Sequence, residues 1–364
     1  MLGGDFFIAG WRASGMKHPP WRNVPPALLI MLCVLARPCA SAEAVPAPRL
    51  DGFNVIEAAG HPFGSASAKV ALANAKRLGA SAIAIIPFLW QSNPASSGVR
   101  RGDDMTDIEL RAAIRDAHAL GLAAIVKPHV WVPESWAGAI AMNSEGAWQD
   151  WFANYQRALG PIARIAEEEK ADALAIGTEL SQTTQQPQWH AMIGEMRRVY
   201  SGRLLYVAHN VEEAEAAPFW DELDTIGVTL YPPLGADDDR DGRRNAMRAV
   251  ADRLDTLAAK TGKPILVAEI GLRSAVGAAA KPWESAEERA SAPDPALQAQ
   301  ILADWLAILD RPSIQGVLIW RWFTDPDAGG STDTDFTVQR KPAERVLKCA
   351  WTRHCAVTEG AFPQ

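Results

Sequence analysis

This chain of 364 residues predicts a single (β/α)8 TIM barrel with extended βα loops on its catalytic face. Three observations lead there. Eight short apolar runs of strand character recur along the chain, longer segments of helical periodicity separate them, and glycines stand between helix and next strand. Strand-then-helix alternation builds parallel sheets, and eight such units close a barrel.

The strand candidates, in order, are 52–57, 82–88, 123–129, 173–179, 204–210, 225–231, 264–269 and 315–322. The helices expected between and after them are 67–78, 107–120, 148–169, 189–200, 243–260, 295–309 and 342–350. Thr106 and Glu109 form a capping box at the head of the second helix. Gly79, Gly121, Gly202 and Gly262 sit where a C-cap glycine belongs. Only 213–223 is short on helix. Length beyond a minimal barrel of about 250 residues is concentrated in 91–105, 131–146 and 272–294, on the face where barrels keep their chemistry. An open doubly wound sheet would want a glycine-rich turn after the first strand, and Ala58-Ala59-Gly60-His61-Pro62 is not one.

The amino-terminal 42 residues read differently. An apolar run within 25–34, preceded by Lys17 and Arg22 and followed by Ala40-Ser41-Ala42, has the form of an export signal and is too short to span a bilayer. Met16 is an alternative start, residues 43–50 a linker, and 51–364 the barrel domain. With 36 Lys+Arg against 43 Asp+Glu and no basic stripe, nucleic acid is excluded as a partner. No membrane anchor is expected once the leader is gone. Two of the four cysteines, Cys33 and Cys39, leave with it. Cys349 and Cys355 remain as a close pair, expected to form a disulfide in an oxidising compartment.

Barrels place reactive groups at the C-terminal ends of their strands. The fourth candidate ends in Glu179 and the seventh in Glu269, each closing an apolar strand. An ionised carboxylate there is costly unless something uses it. Two carboxylates flanking a barrel mouth suit glycoside hydrolysis, with one protonated to help the leaving oxygen and the other ionised to attack. The bland alternative is a salt bridge to a strand-end base such as Lys127.

Supporting groups end other strands. Tyr231 is placed to hold the nucleophile. Trp320 and Trp322 share parity and would floor a pyranose ring, while Trp90, Trp131, Trp136 and Trp283 occupy loops on the same side. Asn54, Lys127, His129, Thr178, His209 and Asn210 are candidate sugar contacts.

In this order the residues resemble clan A of the retaining glycoside hydrolases, and within it family 113. The similarity runs through Ile85-Ile86-Pro87-Phe88, Lys127-Pro128-His129, Gly177-Thr178-Glu179-Leu180, Tyr231-Pro232-Pro233-Leu234, Glu269-Ile270-Gly271, Pro282-Trp283 and Lys341-Pro342-Ala343. The resemblance implies an endo-β-1,4-mannanase type of activity with retention, Glu179 as acid/base and Glu269 as nucleophile. Clan members often carry Asn before the acid/base; here Thr178 stands there. Such an enzyme needs no cofactor or metal, and its partner is a polysaccharide or oligosaccharide. Another β-glycan, a bacterial exopolysaccharide, or a glycan-binding barrel with weak turnover are the alternatives. A metal-dependent barrel hydrolase would want His-x-His on the first strand, which instead reads Gly52-Phe53-Asn54-Val55-Ile56.

Overall fold

The computed structural model describes residues 49–353, so the expected leader, Cys33, Cys39, most of the linker and Cys355 lie outside the described residues. Eight parallel strands close a barrel: β1 (Gly52–Ile56), β2 (Ala82–Ile85), β5 (Ala123–Val126), β7 (Ala173–Thr178), β8 (Arg203–His209), β9 (Thr225–Leu230), β10 (Ile265–Ile270) and β11 (Ile314–Phe323). Three short strands, β3 (Phe88–Gln91), β4 (Val99–Arg101) and β6 (His129–Trp131), form a second sheet in the order β4-β3-β6.

That second sheet corrects the expectation of two unbroken strands over 82–88 and 123–129. Each run contains a proline, Pro87 and Pro128, that has no N–H for a ladder. The barrel strands therefore stop short, at Ile85 and Val126. Beyond each proline the chain re-pairs, with Phe88 opposite His129 and Trp90 opposite Trp131.

The helices are α1 (Ala66–Arg77), α2 (Asp107–Ala119), α3 (Glu145–Glu168), α4 (Gln188–Val199), α5 (Asn210–Ala216), α6 (Arg240–Thr261), α7 (Pro295–Ile308) and α8 (Pro342–Thr352). Side-chain caps open several of them. Ser65 accepts from Ala68 N–H, Ser144 from Ala147 N–H, and the Thr106–Glu109 box is complete. Helix α5, over a stretch expected to be short on helix, is only 7 residues long. Gly79, Gly121 and Gly262 have positive φ, as a C-cap requires, but Gly202 does not. A Cβ at Gly202 would sit 2.3 Å from Tyr200 Oη, so crowding rather than backbone handedness selects it.

Alternation along each strand divides the core in two. Small and aliphatic side chains such as Ala84, Ala175, Leu266 and Leu318 fill the barrel interior. The opposite faces, with Phe53, Val55, Leu174 and Ile176, pack against the helices. No helix among the described residues is long and apolar enough to cross a membrane.

Candidate active site

Glu179 follows β7, and its position is set by crowding beneath it. A Cβ on Gly177 would meet the Tyr206 and Trp189 rings at 2.7 and 2.9 Å, so only glycine lets the strand pass this close to the two buried rings. The β7–β8 ladder skips between Ala175 and Thr178, and Glu179 then adopts φ 55 while its N–H donates to Val207 O at 2.8 Å. A left-handed glutamate is a costly conformation that its surroundings must impose. The turn beyond it is tied down: Leu180 N–H donates to Tyr206 Oη, and Tyr206 Oη–H and Ser181 Oγ–H donate to Glu213.

Glu269 lies within β10, where the ladder to β9 skips Ala268 and sets Glu269 opposite Thr229. Thr229 is also opposite His209 of β8. The three residues thus form one layer across β8, β9 and β10. Thr229 Oγ1–H donates to Glu179 Oε1 at 2.6 Å, which brings Glu179 to the same layer as Glu269. Both oxygens of Glu269 are engaged: Tyr231 Oη–H donates to Oε1 at 2.7 Å and Lys127 Nζ to Oε2 at 2.5 Å. Lys127 is fully buried and also lies 5.6 Å from the centre of the Trp320 ring.

The titratable groups of this layer act on one another. Burial raises the Glu179 carboxyl, but the hydrogen bond from His209, the charges of His129 and His209, and the Thr229 hydroxyl together bring it down to about 2. This runs against the expectation that apolar surroundings keep the acid protonated, because two histidines face it. Burial lowers His129, more than Glu179 and Glu269 raise it. His209 is pushed down by burial and up by Glu179, Glu213 and Glu269, with a net rise. Tyr231 is raised well above its ordinary value by burial and by the charge of Glu269, so it remains a donor.

Residues 53–341 match the model of glycoside hydrolase family 113. This chain belongs to that family.

Among solved structures, the family 113 β-mannanase of Alicyclobacillus acidocaldarius is 23% identical, with TM-score 0.76 over 84% of this chain and 98% of that one. A family 113 β-1,4-mannanase solved as a complex is 26% identical, with TM-score 0.75 over 84% and 99%. The Ruminococcus gnavus β-glucuronidase, 15% identical, shares the fold with TM-score 0.58 over 84% of this chain and 50% of that one. No curated protein matches.

The family 113 barrel brings together Glu179, Glu269, Tyr231, Lys127, His129, His209 and Trp320, but the roles expected of some residues change. Lys127 meets Glu269, so its first partner is the carboxylate rather than a sugar hydroxyl. His209 uses both ring nitrogens within the protein, Nδ1 on Glu179 Oε1 at 2.9 Å and Nε2 on Asn210 Nδ2 at 3.0 Å. Asn210 Oδ1 in turn accepts from Tyr231 N–H at 2.9 Å. Both side chains are thus tied to their neighbours within the site.

Thr178 is buried and its hydroxyl donates to Pro128 O at 3.0 Å, tying β7 to the exit of β5. Asn54 is fully buried and donates to Ala268 O at 3.0 Å, satisfying the residue that the β9–β10 ladder skips. Trp322 is a correction. The β1–β11 register shifts between Asn54 and Val55, passing from Trp320 to Trp322, so the two indoles lose their common face. Trp322 packs against Phe53 at 4.5 Å and donates to Ala71 O of α1, on the helix side.

Trp90 lies on the second sheet, its ring 6.1 Å from that of Trp131. Trp283 is half exposed in its loop, with no described contact to either glutamate. Sequence reasoning passed over one residue that the fold places in this layer. Thr229 stands two positions before Tyr231, on the same strand face, and that periodicity was a usable signal. Trp136, expected in a loop on this side, lies against His209 with ring centres 4.8 Å apart and planes tilted by 58°. Among the described residues no group of three or more His, Cys, Asp or Glu is arranged to hold a metal ion.

Proposed function

We propose that this family 113 glycoside hydrolase cleaves β-1,4-linked mannan by double displacement, with Glu269 as nucleophile and Glu179 as acid/base. The observation that carries the reading is the shared layer: Glu269 stands opposite Thr229, whose hydroxyl binds Glu179. A glycosidic bond held over that layer has one carboxyl on each side.

In the first step a Glu269 oxygen bonds to the anomeric carbon as the bond to the leaving oxygen breaks. The leaving oxygen keeps that electron pair and takes the proton of Glu179. In the second step Glu179 takes a proton from water, whose oxygen displaces Glu269 from the sugar. Lys127 and Tyr231 hold the Glu269 carboxylate by one oxygen each, which orients it and steadies its charge. Trp320, inside the mouth, offers an apolar face to a pyranose ring. Mannan is the substrate favoured because the compared structures that match this chain over nearly their whole length carry β-mannanase names.

Glu269→Gln should abolish release of reducing ends from β-mannan while the protein stays folded. For Glu179→Ala, azide should restore turnover of an activated aryl mannoside and yield a β-mannosyl azide. Full activity in Glu269→Gln, or an α-configured first product by NMR, would overturn the reading. Export by the leader and a Cys349–Cys355 disulfide belong to the same proposal, since a polymer substrate is met outside the cytoplasm. The mass of the mature secreted protein, with and without reduction, tests both.

A further inference from the structure

Charge alone would place a proton on His209. Three carboxylates face it: Glu179 after β7, Glu213 in α5, which accepts from the His209 backbone N–H at 2.9 Å, and Glu269 in β10. The charge of His129 also acts on Glu179, Lys127 offsets Glu269, and the Trp136 ring lies tilted against the imidazole. A protonated His209 would leave Glu179 ionised, the wrong state for an acid.

The hydrogen-bond directions oppose that outcome. Tyr231 N–H is a backbone donor and nothing else, so the Asn210 atom 2.9 Å from it is the amide oxygen. The other end of that amide is NH2, also only a donor, and it lies 3.0 Å from His209 Nε2. Nε2 must therefore present its lone pair. The ring proton sits on Nδ1 and is donated to Glu179 Oε1 at 2.9 Å. An imidazolium would set two donors against each other at Nε2. Flipping the amide only moves the clash to Tyr231 N–H. Asn210 has φ 55, a conformation that Asn and Asp tolerate better than most residues.

We propose that Asn210 is a positioning residue that locks His209 as the neutral Nδ1–H tautomer and so leaves the catalytic proton on Glu179. Oε1 of Glu179 is taken up by His209 and Thr229. Oε2 then carries the proton that passes to the leaving oxygen. This rests on the assignment of Glu179 as acid made above.

The test is Asn210→Asp, which keeps shape and backbone preference. A carboxylate accepts from both Tyr231 N–H and a protonated Nε2, and so stabilises the imidazolium. In 15N-histidine NMR, the wild-type His209 signal (assigned by its loss in His209→Asn) should show one unprotonated nitrogen, Nε2, at the pH of maximal activity. In Asn210→Asp both nitrogens should be protonated. The alkaline limb of kcat/KM for a β-1,4-manno-oligosaccharide should then move down by about one pH unit, so that kcat/KM falls about tenfold at pH values above it. An aryl mannoside whose leaving group needs no acid should lose little in its first step. A packing role alone would lower both substrates together and leave the limb in place. An imidazolium in the wild type at its optimum, or a neutral ring in both proteins, overturns the proposal. If Glu179→Gln keeps full turnover of the oligosaccharide, the parent assignment fails instead, whatever the NMR shows.

Discussion

Lys127 Nζ lies 2.5 Å from Glu269 Oε2, and both side chains are buried. A lysine and a glutamate from opposite sides of the barrel thus offset each other's charge at the point where the proposed mechanism places its nucleophile. Removing either partner leaves a buried charge uncompensated, which costs about 3–5 kcal/mol. Lys127→Met and Glu269→Gln should each lower stability by that order in denaturant titration. The double variant should be destabilised by clearly less than the sum of the two. Additive losses would mean that the pair is not coupled.

Tyr231 donates to the other oxygen of Glu269 at 2.7 Å. Its phenol is held well above the ordinary tyrosine range by burial and by the Glu269 charge, so it stays protonated wherever the fold survives. Tyr231→Phe removes one charge-assisted hydrogen bond, worth about 1.5–3 kcal/mol. The expected loss is about ten- to a hundredfold in kcat/KM. The alkaline limb should not move, because the phenol does not titrate near it. A shifted limb in Tyr231→Phe would show that Tyr231 itself supplies the proton.

Trp320 and Trp322 separate function from packing two residues apart. Trp320 lies by Lys127 in the mouth, whereas Trp322 is 1% exposed against Phe53 and α1. Trp320→Ala should raise KM or lower kcat/KM with little change in melting temperature. Trp322→Ala empties a filled site behind the barrel wall and should cost about 3–5 kcal/mol of stability. Its KM at a temperature where it remains folded should be unchanged. The reverse pattern would restore Trp322 to the sugar site.

Much of this was legible in the sequence because strand periodicity and strand ends are local signals. Glu179, Glu269 and Tyr231 each close an apolar run, and the eight runs close one barrel. What was not legible lay in departures from regular pairing. The period-2 rule fails wherever a ladder skips a residue, so it set Trp322 on the wrong face and gave no hint that Ala268 needs Asn54. The prolines at 87 and 128 were visible, but the second sheet they create depends on pairing between segments about 40 residues apart. Partner choice was hidden for the same reason. Asn210, His209 and Lys127 are all polar strand-end residues, and only the three-dimensional arrangement shows that they bind one another or a carboxylate.

The outer layer has a pH-dependent pairing at Glu169, the C-cap residue of α3. Hydrogen bonds from Arg115 are the largest influence on it, and with Arg111 they outweigh burial and lower its carboxyl below the ordinary range. Arg111 Nη1 and Arg115 Nη2 approach the same oxygen at 2.9 and 2.5 Å, joining α2 to α3. Because the folded value lies below the unfolded one, the pairing stabilises fully above the unfolded carboxyl value of about 4.3. It is lost as pH falls through the folded value, when the native state must also take up the proton. Melting temperature measured between pH 6 and pH 3 should therefore fall less steeply in Glu169→Gln than in the wild type, and the variant should be the less stable of the two at pH 6. Because both arginines reach solvent, the difference at pH 6 should shrink in high salt. Parallel curves for the two proteins across that range would mean that the arginine contacts carry no net stability.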